Sequence, residues 1–160
     1  MRRIWPRLLI ALAVLGFAHV YIWWRLIAPL PPLWRTLGTV LLVVLAPSLP
    51  ASRRFARGLS REAARPYLWI IYVWFGFATY LLLAAAASHV AVAVGAAARP
   101  AAIVAIAGAA AVVVYGLAHV ARGPRVRRIE VALEALPVAR YTLVQLTDVH
   151  IGPLLGHAFA

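Results

Sequence analysis

Apolar residues fall into four long runs within the first 122 positions, and proline or arginine interrupts the chain between them. Residues 8–28 hold only His19 and Arg25 as strongly polar members. At 1.5 Å rise per residue, about 20 helical residues cross a hydrocarbon core of about 30 Å, so a first transmembrane helix is expected at 8–28. Pro29, Pro31 and Pro32 follow; each lacks an amide donor and crowds the preceding turn, which calls for a short loop. A second run, 33–49, is interrupted by Pro47 and lies near the lower spanning limit of about 17 residues. The third span is expected at 67–91 and the fourth at 101–121, with Arg99 and Pro100 as the polar connection.

Two patterns inside the runs support a bundle. Trp5, Tyr21, Trp23, Trp24, Trp34, Tyr67, Trp69 and Tyr72 lie mostly near run ends, where amphipathic rings sit at headgroup level. Ala101, Ala105 and Ala109 recur every fourth residue, as do Ala84 and Ser88, giving small-residue stripes that let helix backbones approach closely. The basic start with Arg2, Arg3 and Arg7 is like that of a signal peptide. The apolar run that follows exceeds the usual stretch of about 7–15 residues and has no small-x-small cleavage site, so a retained helix is expected.

Composition sharpens the picture. Apolar residues make up 65% of the 160-residue chain, against roughly 45–50% in soluble domains. The net charge of +12 comes from sixteen basic residues, all arginine, set against four acids. These arginines cluster at the ends of apolar runs and the aromatics lie in or beside the spans, which argues against a nucleic-acid partner. The absence of cysteine excludes disulfides, thiolate metal sites and cysteine nucleophiles.

With four spans, the N-terminus, the 51–65 loop and the segment after residue 120 share one side. That side carries Arg2, Arg3, Arg7, Arg53, Arg54, Arg57, Arg61, Arg65, Arg122, Arg125, Arg127 and Arg128; the other carries Arg25, Arg35 and Arg99. The bias predicts an inner-membrane protein with both termini in the cytoplasm. Arg53, Arg57, Arg61 and Arg65 recur at one per helical turn, a spacing suited to anionic lipid headgroups, although basic loops between spans more commonly only fix topology. His19, His89 and His119 fall at three different depths, so they cannot supply two axial ligands to one haem and are expected to be interfacial or helix-bonding.

After Gly123 and Pro124 the character changes. Residues 126–133 and 141–147 are short runs rich in β-branched and aromatic residues separated by Leu136-Pro137, and two strands are expected there. The second run delivers Asp148-Val149-His150, and strand periodicity would aim Asp148 and His150 the same way, a carboxylate and an imidazole suited to a divalent metal. Gly152 allows a sharp exit turn. Glu130, Glu134 and His157 are the other candidate ligands and read as solvated side chains.

The run Leu143-Val144-Gln145-Leu146-Thr147-Asp148-Val149-His150-Ile151-Gly152 resembles the first signature block of the calcineurin-like metallophosphoesterases, more narrowly their membrane-anchored bacterial branch. The resemblance covers about residues 126–160. It implies that Asp148 bridges two divalent metal ions (Mn, Fe or Zn), that His150 binds one of them, and that the reaction is phosphoester hydrolysis. The later blocks of that family, Gly-Asp-x-x-Asp, Gly-Asn-His-Asp or Glu, and Gly-His-x-His, do not occur here, so no complete catalytic set is present. The expectation is thus an all-α polytopic membrane bundle over 1–122 followed, at 123–160, by the first strands of a truncated α/β metallophosphoesterase domain. On this reading the chain is an N-terminal fragment, inactive alone, whose partners are the lipid bilayer and a phosphoester substrate. The competing class is a non-enzymatic four-helix membrane protein, a scaffold or transport subunit, in which the Asp-x-His triplet is accidental.

Overall fold

The computed structural model describes residues 4–123, 127–130 and 142–145. Helix α1 (Ile4–Ile22) runs directly into a π-helical turn (Trp23–Ile27). Pro6 is tolerated because it lies in the first turn, where amides have no intrahelical partner. The π-turn is fixed by the Ala28 amide, which donates to the Trp23 carbonyl five residues back at 2.8 Å. Widening one turn in this way rotates the side chains that follow it relative to a regular helix.

Helix α2 (Pro32–Leu45) starts with proline at its first position, whose fixed φ is already helical, and the Arg35 amide closes the first bond to the Pro31 carbonyl at 2.9 Å. Pro47 ends the helix because it has no amide to continue the ladder. The Ser48 hydroxyl then donates to the Leu45 carbonyl at 2.6 Å, so the break leaves that acceptor satisfied. Helix α3 (Ser48–Ala56) resumes at once. The second span is therefore a broken one, with apolar residues Pro32–Ser52 distributed over two helices.

Helix α4 (Arg61–Ala93) is 33 residues long and begins ahead of the expected 67. The Ser60 hydroxyl caps it by accepting from the Ala63 amide at 3.3 Å, and Glu62 lies in the first turn beside the positive end of the helix dipole. Pro66 removes one ladder bond near that end without stopping the helix. At the other end the Ala96 amide donates to the Ala91 carbonyl and the Gly95 amide to the Val92 carbonyl, a Schellman closure that requires the left-handed φ of 104° at Gly95. Helix α5 (Ala98–Ala121) follows. The connection is thus 94–97; Arg99 and Pro100, expected to form it, are inside the first turn of α5, where proline costs no bond.

Four helical segments, Leu9–Ile27, Pro32–Ser52, Glu62–Ala93 and Ala98–Ala121, are long and apolar enough to cross a membrane. They pack around Ile22, Leu26, Leu42, Trp74, Ala78, Leu81, Ala85, Ala102 and Ala109. On α4 the positions Trp74, Ala78, Leu81, Ala85 and Ser88 advance alternately by four and three residues, one helical face. The α4–α5 contact is the most extensive in the molecule, and Ala85 and Ala102 are fully buried in it or beside it. Of the expected small-residue stripes Ser88 and Ala109 are buried, while Ala84, Ala101 and Ala105 are half-buried and their neighbours Ala85 and Ala102 are fully buried. Outward positions such as Leu9, Phe17, Val43 and Val104 stay exposed, as an apolar solvent permits.

The bundle half of the fold expectation holds, and the α/β half does not. The described parts of the two expected strands, 127–130 and 142–145, carry no strand. Ile129, Leu143 and Val144 are 71%, 80% and 75% exposed, so these β-prone side chains have no surface to pack on and their backbone no ladder to join. Intrinsic preference without a partner strand does not make a sheet.

Replacing Ala85 by leucine is expected to lower bundle stability by about 1–3 kcal/mol through overpacking, while Ala86→Leu, on the exposed face, leaves it unchanged. Denaturant titration of the purified protein in detergent, followed by helicity, checks this. Equal midpoints for the two variants would remove close small-residue packing as a determinant of the fold.

Candidate functional site

Polar side chains inside the bundle gather where the π-turn meets the last third of α4. Arg25, within the π-turn, is half-buried; its Nη2 donates to the Ser88 carbonyl at 3.2 Å and its guanidinium carbon lies 5.2 Å from the centroid of the Trp24 ring. The Arg25 Nε and the Ser88 hydroxyl are both buried without a hydrogen-bond partner, and Ser88 as a whole is only 3% exposed. Beside them Tyr21 Oη and His89 Nδ1 are 3.0 Å apart, and the Trp24 ring meets the His89 ring edge-on at 5.6 Å. The π-turn makes the cluster possible, because it places Trp24 and Arg25 against α4 while Trp23 turns to α2, donating its Nε1–H to Thr39 Oγ1 at 2.8 Å. The Thr39 hydroxyl in turn donates a hydrogen bond to the Arg35 carbonyl at 2.7 Å. Gly38 keeps this crossing close: a Cβ there would meet Ile27 side-chain atoms at 2.9 Å.

The same contacts define how the spans alternate. His19 packs on Trp74 with ring centroids 6.0 Å apart, and further along both helices Arg25 meets Ser88, so α1 and α4 run in the same direction. Arg99 Nε donates to the Pro29 carbonyl at 3.2 Å, bringing the start of α5 to the end of the first span. Phe55 and Tyr67 meet edge-on at 6.5 Å, tying α3 to the opposite end of α4. Arg7, Arg54, Arg57, Arg65 and Arg122 consequently lie towards one end of the bundle, and Arg25, Arg35 and Arg99 towards the other.

The three membrane histidines occupy separate places. His19 is buried and donates Nδ1–H to the Leu15 carbonyl at 2.8 Å, leaving Nε2 without a partner. It lines a cavity of about 70 Å³ between the first three spans, with Leu45, Trp74 and Thr79 among the walls. His89 is fifteen residues beyond Trp74 on α4, roughly 22 Å along the axis. His119 is exposed near the end of α5 and stacks on Tyr115 at 6.1 Å.

The even series Arg53, Arg57, Arg61 and Arg65 does not lie on one helix. α3 ends at Ala56, residues 57–60 turn, and α4 begins at Arg61, so the series is divided between two helices and their connection. Gly58 and Ser60 explain the break: one is a poor helix former and the other a strong N-cap.

Asp148 and His150, with Glu134 and His157, lie outside the described residues. Glu130 is exposed within the 127–130 segment. Among the described residues no three His, Cys, Asp or Glu side chains come together as a metal site would require. No family model, curated protein or solved structure matches the chain.

A double-mutant cycle tests the Tyr21–His89 contact. Tyr21→Phe and His89→Phe together are expected to destabilise less than the sum of the single changes, by about 0.5–1.5 kcal/mol, the usual worth of one hydrogen bond. Strict additivity would show that the two side chains do not cooperate.

Proposed function

We propose that the chain is the membrane anchor and first metal-ligand segment of a metal-dependent phosphoesterase in a bacterial inner membrane, with both termini in the cytoplasm. The observation that carries this reading is the decapeptide from Leu143 to Gly152, with Asp148 and His150 in the family's spacing, immediately downstream of four membrane-length helices. Bound divalent ions would supply Lewis-acid polarisation of a phosphoryl oxygen. The contribution of this chain is a carboxylate at Asp148 and an imidazole at His150, tethered close to the bilayer by α5. The orientation rests on the sequence, in which twelve arginines fall in the segments assigned to one side and three in those assigned to the other. Arginines at the basic end, Arg53, Arg57, Arg61 and Arg65 among them, would meet anionic headgroups of the cytoplasmic leaflet.

The coil at 127–130 and 142–145 favours a second reading, a non-enzymatic four-helix scaffold or transport subunit. One experiment separates the two. The reading frame past Ala160 is expected to encode the remaining Asp, Asn and His blocks, and the protein expressed from that frame to hydrolyse a chromogenic phosphodiester only with added Mn²⁺. Asp148→Asn should lower that rate by about a hundredfold or more, the scale seen when partners of a metal site are removed. A stop codon directly after Ala160, or full activity in Asp148→Asn, would overturn the enzyme reading. For the orientation, a green fluorescent protein fused after Arg128 is expected to fluoresce; a reporter at that point active only outside the membrane would reverse the assignment.

A further inference from the structure

Among the described residues Arg25 is a cation with no carboxylate beside it. The four acids of the chain are Glu62, Glu130, Glu134 and Asp148. Glu62 is in the first turn of α4, 26 positions before Ser88, and the other three follow the last span. No carboxylate therefore lies in α1, the π-turn, α2, α3, α5 or the remainder of α4. Yet Arg25 is held in place, by the Ser88 carbonyl on one side and the Trp24 ring on the other, with Nε buried and unpaired. The Ser88 hydroxyl is buried and unpaired as well. Burying such donors without an acceptor is costly, and a guanidinium fixed in a planar orientation with free N–H groups is the arrangement that recognises a tetrahedral oxyanion.

Position adds a second argument. Arg25 lies three residues before the Ala28 turn, among Tyr21, Trp23 and Trp24, at the depth where indole and phenol rings mark the headgroup layer. Trp24 is 51% exposed and His89 is exposed, so the cluster opens outward. Arg99 and Arg35 lie towards the same end, and their positive field favours an approaching anion.

We infer that Arg25, supported by Ser88, Trp24 and the Tyr21–His89 pair, forms a binding site for a phosphate group at the end of the bundle opposite its arginine-rich loops. The phosphate belongs either to a lipid headgroup or to a small phosphorylated solute. The inference uses the bundle alone and stands whether or not the chain belongs to a phosphoesterase.

The test places the full chain in dodecyl maltoside micelles, which carry no phosphate, without and with added phosphatidylglycerol, and follows tryptophan fluorescence and retained lipid by native mass spectrometry. Inorganic phosphate and glycerol phosphate are titrated into the first set. A headgroup site is expected to retain phosphatidylglycerol on the wild type; a solute site gives a saturable fluorescence change with glycerol phosphate or phosphate in the lipid-free micelles. In either case Arg25→Gln should weaken binding about tenfold or more, the loss of a charge-assisted contact, Arg25→Lys less, and Arg35→Gln least. Absence of saturable binding of every probe to the wild type overturns the proposal without reference to any variant. Equal binding by folded Arg25→Gln overturns it too, with helicity and denaturant midpoint establishing that the variant is folded.

Discussion

An amide or carbonyl carried into hydrocarbon finds no water to bond, and each one left unpaired costs several kcal/mol. The features of this bundle follow from that constraint. Its spans are helical, and at several interruptions a local group takes over an acceptor or donor that the ladder leaves. The Ser48 hydroxyl does so at the Pro47 break, the Ser60 hydroxyl at the start of α4, and the Schellman amides at Gly95. Even the π-turn keeps its ladder intact by lengthening one bond from four residues to five. Where the chain leaves the last helix, Gly123 with φ 73° donates its amide to the Val120 carbonyl at 3.0 Å.

Between helices the constraint acts differently. Lipid tails are as apolar as leucine, so association depends on close packing and on polar contacts. The α4–α5 contact uses the first means, through Ala85 and Ala102. The contact of the π-turn with α2 and α4 uses the second, through Trp23 with Thr39 and Arg25 with Ser88. Gly38 links the two by letting Ile27 approach the α2 backbone. The polar cluster is thus both a cross-brace between spans and the most chemically distinctive part of the described molecule.

How much of this is legible in the sequence depends on range. The four apolar runs are local signals summed over twenty residues, and they locate the spans to within a few positions. Their edges are less legible because proline has two meanings: at Pro47 it breaks a helix, whereas at Pro32 and Pro100 it opens one and at Pro66 it is simply carried. The π-turn leaves no mark in the composition of Trp23–Ile27. The Arg25–Ser88 and Tyr21–His89 pairs join residues more than sixty positions apart, and nothing local announces them. The one available signal was arithmetical, an arginine inside an apolar run in a chain with no acid between Glu62 and Glu130. The expected strands at 126–133 and 141–147 misled for the opposite reason: their β-branched residues are a local preference, and a strand exists only in a ladder. Asp148 and His150 lie outside the described residues, and their reading still rests on motif spacing.

The spans differ greatly in height. The apolar segment Glu62–Ala93 has 32 residues and Pro32–Ser52 has 21, broken by a turn, so the flanks of the bundle measure roughly 48 Å and 32 Å at helical rise. A hydrocarbon core of about 30 Å holds about 20 helical residues, so α4 reaches roughly three turns past it, and its charged first turns, with Glu62 and Arg65, are the part that leaves the apolar layer. α4 is thus a stalk as well as a span: it holds Arg65 clear of the lipid tails on the same rod that packs against α5.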